Sequence, residues 1–273
     1  MSNGVLCFAN NNSKINYILQ AQELAKRVRK YLNLPTSIVT TTPEAVNKEY
    51  FDEIINISAD TTNFKRYYNG ISNHTNLEFN NHSRINSYDI TPYDKTLVLD
   101  TDVIVCNDDW KHAFNNTHPF QIYKHCIDLN HTRKHTEFEY INDKGIDFYW
   151  ATAFCFEKNK ETKLFFDLLQ VLKKNYNHYT LVFDTGSRNF RNDHIFSMGI
   201  HIMNGFANKD WTKPLPGRLY YSLDRDILQQ IDNDSIQILL QKPEVHGEYI
   251  LSKTKGMNVH VMNKFSLEEI LNV

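Results

Sequence analysis

The sequence predicts an α/β fold, a Rossmann-like mixed sheet with helices on both faces. Three observations lead there. Short apolar runs rich in β-branched residues recur along the first hundred positions, a helical pattern separates the first two, and the second half mixes strand-like and helix-like segments without regular alternation. Runs that are apolar at nearly every position mark strands buried on both faces, as in a parallel sheet covered by helices.

Taken in order, "GVLCFA" (4–9) reads as a strand ending in the polar loop "NNNS". Ile15, Ile18, Leu19, Gln22, Val28 and Leu32 then recur at helical spacing. "TSIVT" (36–40) and "EIINIS" (53–58) are further strands, and a polar stretch over 59–89 leads to "TLVLD" (96–100). Beyond 106 a His-rich polar segment (112–135) precedes an apolar run, "DFYWATAFCFE" (147–157). Leu164, Phe165, Leu168, Leu172 and Tyr176 predict a helix within 159–176, and "NDHIFSMGIHIMNG" (192–205) another, closed by Gly205. "IQILLQ" (236–241) and "NVHVM" (258–262) read as strands. In the closing "SLEEIL" (266–271), Ser266 and Glu269 have the spacing of a capping box.

At 273 residues the chain is expected to form one domain, 1–273, with a change of pattern near 106 and no linker to divide it. A net charge of −2 gives no global drive toward nucleic acid or anionic membrane, so partners must be argued from sites. The basic runs "KRVRK" (26–30) and "HTRKH" (131–135) read first as a solvated helix face and a solvated loop, and second as a local contact for a polyanion. Cys7, Cys106, Cys126 and Cys155 form no CxxC pair and are expected to be reduced thiols. No basic n-region opens the chain and no apolar run approaches about 18 residues, so the expectation is a cytoplasmic protein with no membrane partner. Of the aromatic pairs Tyr67/Tyr68, Tyr149/Trp150 and Tyr220/Tyr221, core packing explains most, and stacking on a sugar or base one or two.

The chemistry concentrates in "KTLVLDTDVIVCND" (95–108), where Asp100 and Asp102 end an apolar strand. Asp-x-Asp is weak evidence alone, and the chain has two more, 224/226 and 232/234, in polar stretches that read as solvated turns or helix starts. Only 100/102 sits where the loops at the carboxyl ends of strands build the ligand crevice of an open α/β sheet. Two carboxylates there raise each other's pKa unless a cation offsets them, and hard divalent Mn²⁺ or Mg²⁺ does so while leaving positions for phosphate oxygens. The competing reading is one turn-capping Asp and one exposed. GxGxxG, GxxxxGK[ST] and GxSxG are all absent, which removes the signatures of dinucleotide, P-loop and nucleophile-elbow sites.

"YDKTLVLDTDVIV" (93–105) resembles the GT-A glycosyltransferases, especially the glycogenin-like branch, which use nucleoside diphosphate sugars and a DxD motif. "GVLCFANN", "WATAFCFEK" (150–158) and "NVHVMNK" (258–264) fall in the family's order. The resemblance implies a GT-A fold with a nucleotide-binding half (1–106) and a sugar- and acceptor-binding half (107–273). It implies Asp102 as a catalytic residue that binds the metal directly, Asp100 reaching the metal or the ribose, His260 as the third metal ligand, and Lys264 on the donor diphosphate. Ala9, Asn10, Arg84 and Thr101 would border the donor, and Asp193 would orient the sugar or take the acceptor's proton. The activity implied is metal-dependent transfer from a nucleoside diphosphate sugar, UDP-sugar first, to a hydroxyl of a carbohydrate, protein or modified DNA. Viral GT-A-like enzymes that decorate hydroxymethylated pyrimidines bring the last acceptor in, with host cytoplasm as the location. The sequence departs from the family pattern where Val261, Met262 and Asn263 lack the usual glycine between His260 and Lys264, and where "WATAFCF" lacks an Asn-Ala-Gly start.

Two other readings remain. A haloacid-dehalogenase-type phosphatase also ends a strand in Asp-x-Asp, but nearer the chain start, with Thr or Val at the position of Ile104 and a later Gly-Asp that this chain lacks. A nucleotide-sugar or nucleic-acid binding module without turnover is the other.

Overall fold

The computed structural model describes residues 1–58, 64–69, 74–79, 83–185, 190–207, 209–243 and 245–272, and at 64–69, 74–79 and 83 the backbone alone. The side chains of Tyr67 and Tyr68 lie outside this description. The first half contains β1 (Asn3–Phe8), α1 (Tyr17–Arg27), β2 (Thr36–Thr40), β3 (Glu53–Asn56), β4 (Phe64–Asn69), β5 (His74–Phe79), α2 (Ser87–Ile90), β6 (Lys95–Leu99) and β7 (Val103–Ile104). The second contains β8 (Phe120–Tyr123), β9 (Ile127–Asp128), β10 (Trp150–Glu157), α3 (Lys160–Lys174), α4 (Tyr176–Val182), α5 (Asn192–Met203), β11 (Leu219–Ser222), β12 (Ile227–Ile231), β13 (Ser235–Gln241), β14 (Tyr249–Lys255), β15 (Asn258–Val261) and α6 (Lys264–Leu271).

The fold is mixed α/β. A six-stranded sheet runs β3-β2-β1-β6-β10-β8, parallel from β3 to β6 and antiparallel at β10. All of β2 and β6, and all but one residue each of β1 and β10, are buried. Successive side chains point to opposite faces, so both faces of these strands are covered. Helix α1 crosses from β1 to β2, while α5 packs on β10 and α3 on α5. Each fully buried Val or Leu in β6 contributes about 1.5–3 kcal/mol.

The chain leaves this sheet at the Asp-x-Asp. A turn, closed by the Val103 amide donating to the Asp100 carbonyl at 3.2 Å, passes β6 into β7. Strand β7 belongs to a second sheet, β7-β15-β11-β9, beside a three-stranded antiparallel sheet, β12-β13-β14. The polar segment 112–135 therefore hides two strands, β8 and β9, whose apolar runs are too short for periodicity to reveal.

The aromatic residues go largely into the core. Phe120 meets Phe165 with ring centroids 4.8 Å apart, Phe154 meets Phe196 at 4.8 Å, and Phe156 meets Phe166 at 4.8 Å. Tyr149, Trp150 and Tyr221 are buried as well. The four cysteines are free thiols, three buried and Cys126 half-buried.

Three expectations need correction. The cap of the last helix is Asn263, whose side chain accepts from the Ser266 amide; the helix begins at Lys264, so Ser266 lies inside it. The Asp224–Asp226 pair is not a solvated turn. Asp226 is fully buried and takes both terminal nitrogens of Arg133 at 2.8 Å, as well as the amides of Leu223 and Gln241. Arg133, from "HTRKH", also grips Asp128 at 2.6 and 2.8 Å, so this arginine is enclosed and unavailable to a polyanion. Arg27 of "KRVRK" is likewise buried, donating to the carbonyls of Val105 and Asn233. The 232/234 pair does sit at the hairpin tip between β12 and β13, with Asp232 exposed and Asp234 half-buried.

Asp226→Asn preserves size but sets an amide against two guanidinium nitrogens and leaves Arg133 undercompensated. Breaking a buried pair from one side costs about 3–5 kcal/mol, so urea unfolding of the variant is expected to show a loss in that range.

Candidate functional site

The site lies where β6 hands the chain to β7. The Asp100 amide donates to the Thr152 carbonyl of β10 at 2.9 Å, and the Asp102 carbonyl accepts from the Val261 amide at 2.9 Å. Each aspartate is thus tied through its backbone to a different strand. Antiparallel pairing of β7 with β15 sets His260 opposite Val103, which brings the imidazole to the turn from more than 150 residues downstream. Ligand atoms of Asp100, Asp102 and His260 all lie within 4.8 Å of one another; among the described residues this is the one such grouping of acidic, thiol and imidazole side chains.

Each carboxylate has a basic partner. Arg84 pairs with Asp100 and donates to the Ala151 carbonyl at 3.0 Å. Lys264, the first residue of α6, pairs with Asp102, and His260 Nε2 lies 3.3 Å from the same oxygen. Asp102 is 2% exposed. Burial raises its pKa, but the charges of Lys264 and His260 and their hydrogen bonds outweigh that and hold the carboxyl well below its ordinary range. Asp102 is therefore a carboxylate at neutral pH. His260 is 7% exposed, and its Nδ1 has no hydrogen-bond partner among the described residues. Two carboxylates and an imidazole whose Nε2 stands beside one of them are an oxygen-and-nitrogen donor set suited to a divalent ion such as Mn²⁺.

The other expected residues divide. Strand β1 pairs in parallel with β6, Leu6 opposite Val98, so Ala9 and Asn10 follow the carboxyl end of one strand as Asp100 and Thr101 follow that of its neighbour. The Asn10 side-chain oxygen accepts from the Thr41 amide at 2.8 Å and so bridges the β1 and β2 ends. The Thr101 hydroxyl donates to Gln20 of α1 at 3.3 Å. Arg84 is buried against Asp100 rather than lying on the surface.

Asp193 reaches the same place by another route. The pairing of β10 with β8 is irregular between Trp150 and Phe154, which withdraws Ala151 from the ladder. The Ala151 amide donates to Asp193 Oδ1 at 3.0 Å, and its carbonyl accepts from Arg84. The backbone of one residue, Ala151, thus connects Asp193 through Arg84 to Asp100. Trp150, next in the bulge, stands edge-on to His260 with centroids 6.3 Å apart, and its indole N–H has no partner among the described residues. Gln20, Ala151 and the bulge carried no motif; the polar Gln20 on the buried face of a helix was the available signal.

No protein-family model matches the sequence, and no curated protein does. Among solved structures, an active-site mutant of LgtC aligns with a TM-score of 0.46 at 14% identity, covering 80% of this chain and 72% of that one. The glycosyltransferase GlyE of Streptococcus pneumoniae TIGR4 aligns with a TM-score of 0.42 at 13% identity, over 78% of this chain and 46% of that one. Its apo form gives 0.44 at 13%, over 79% and 45%. The chain spans less than half the length of GlyE. Among the described residues no helix is long and apolar enough to cross a membrane.

His194, beside Asp193 on α5, supplies a pH test. Burial, reinforced by Arg191, lowers its pKa from 6.5 to about 4. Between those values the unfolded chain binds the proton and the folded chain does not, so this contribution is complete above pH 6.5 and declines as the pH falls toward 4. Thermal or urea unfolding across that range is expected to show the decline in the native protein, with up to roughly 3 kcal/mol of it absent from His194→Gln.

Proposed function

We propose that this chain is a metal-dependent glycosyltransferase that moves a sugar from a nucleoside diphosphate sugar to a hydroxyl acceptor. The observation that carries the reading is the meeting of Asp100, Asp102 and His260 within 4.8 Å, with Lys264 against Asp102. Two half-sites, one from the β6 turn and one from β15, supply complementary parts of a diphosphate-binding centre. In the resemblance drawn from "YDKTLVLDTDVIV" and "NVHVMNK" these are the residues that hold the metal and the diphosphate.

In this reading Asp100, Asp102 and His260 hold Mn²⁺ or Mg²⁺, with the imidazole favouring Mn²⁺. When bound, the ion neutralises charge on the leaving diphosphate. Lys264 adds a fixed positive charge to the same phosphates, which matters most as the bond to the sugar breaks. Ala9, Asn10 and Thr101 border the nucleoside at the carboxyl ends of β1 and β6, the donor half (1–106). Arg84 acts through Asp100 and the Ala151 carbonyl, as a positioning residue rather than a phosphate ligand. Asp193, in the sugar- and acceptor-binding half (107–273), orients the sugar or takes the acceptor's proton. UDP-sugars are the first donors to try. The acceptor is a hydroxyl of a carbohydrate, a protein or modified DNA such as a hydroxymethylated pyrimidine, in a cytoplasmic setting.

The phosphatase reading has less support, because His260 and Lys264 crowd Asp102 where that chemistry needs an open second carboxylate. A panel of UDP-, GDP- and CDP-sugars, each with and without Mn²⁺, tests the proposal by thermal shift. One donor class is expected to stabilise the protein only with metal. Asp102→Asn is expected to lose that stabilisation and metal-dependent donor hydrolysis together. Release of phosphate from a generic ester without a sugar donor would support the phosphatase, and donor stabilisation without hydrolysis the binding module.

A further inference from the structure

The Asp102 carboxylate cannot serve two strong cations at once without consequence. Without metal, the Asp100 and Asp102 carboxylates are each paired with one basic side chain, Arg84 and Lys264 respectively. A divalent ion on Asp102 would stand beside the Lys264 ammonium in a buried setting where water screens little. Arg84 is anchored to Asp100 and to the Ala151 carbonyl, with a planar head that holds both. Lys264 is the first residue of α6, and its four-carbon stem lets the ammonium swing without moving the helix.

We propose that Lys264 is a resident counter-ion which the divalent metal must displace from Asp102, so that metal entry delivers the ammonium to the diphosphate and couples the two binding events. The inference rests on the metal-dependent reading of the site. Its content differs from that reading: a lysine serving only the diphosphate leaves binding of bare metal unchanged when removed, whereas a resident counter-ion holds bare metal off. His260 Nε2, 3.3 Å from the same Asp102 oxygen, belongs to the same picture, an imidazole nitrogen beside a carboxylate already paired with an ammonium. Because coupling is reciprocal, a diphosphate that engages Lys264 also makes Asp102 more available to the metal.

The test is titration with Mn²⁺ alone, followed by the free-ion paramagnetic signal, on the full chain, Lys264→Met, Lys264→Gln and Asp102→Asn. Removing the ammonium is expected to tighten Mn²⁺ binding roughly fivefold to a hundredfold, the span of ordinary coupling energies. Inorganic pyrophosphate, corrected for its own complex with Mn²⁺, is expected to enhance metal affinity less in the lysine variants than in the native chain. Equal or weaker Mn²⁺ binding in both lysine variants, with native binding abolished by Asp102→Asn, overturns this proposal and leaves the function standing. Mn²⁺ binding at Asp102 in none of the proteins overturns the function and this proposal with it. Binding in the lysine variants alone supports both. Crystals of the native chain soaked in Mn²⁺ give a reading free of variants: Lys264 withdrawn from a metal-bearing Asp102 supports displacement, and ion and ammonium together on that carboxylate overturn it.

Discussion

A carboxylate kept charged inside the protein is the constraint around which the site is organised. Asp102 is 2% exposed, and an isolated charge at that depth would take up a proton rather than stay ionised. Lys264 and His260 prevent this, and both come from the far end of the chain, on β15 and the start of α6. The Asp102 carbonyl receives the Val261 amide, so backbone and side chain both join the central sheet to the second one. Docking of the two sheets and ionisation of Asp102 are therefore one event: neither β15 nor the β6 turn is electrostatically complete alone.

A second device works on the opposite side of the turn. The bulge in β10 removes the Ala151 amide and carbonyl from its ladder, and buried backbone polar groups require partners. Asp193 takes the amide and Arg84 the carbonyl, so a local irregularity in one strand becomes a rigid link between α5 and Asp100. Bulges beside functional sites commonly re-aim polar groups in this way. Arg84 is needed at both ends, a demand that suits a planar guanidinium better than an ammonium.

A third buried charge cluster, Asp128 and Asp226 around Arg133, ties β9 to the region joining β11 and β12. His135 closes on Asp128 at 3.0 Å, and its ring lies against Phe138 and Tyr221. Through Tyr221 and Trp150, whose centroids are 4.9 Å apart, this cluster supports the wall that stands edge-on to His260. Arg133 and His135, from a basic run whose other residues stay exposed, supply that support.

The strands at 4–9, 36–40 and 96–100 were legible because burial on both faces forces residues to be apolar whatever surrounds them, whereas the edge strand at 53–56, with no buried residue, showed through its β-branched Ile54 and Ile55, and the helices ending near 174 and 203 through their apolar spacing. Asp100 and Asp102 were legible for the converse reason, since paired charges ending such a strand demand a compensating partner. Local patterns could not say which cation that partner is. Lys264 and His260 reach Asp102 through β7–β15 pairing, a long-range register that no local spacing encodes. The same limit hid Arg133 and Asp226, whose polar neighbours resemble those of solvated turns until the tertiary fold closes over them. Short-range chemistry selects which segments are buried, and the packing of distant segments decides which charges meet.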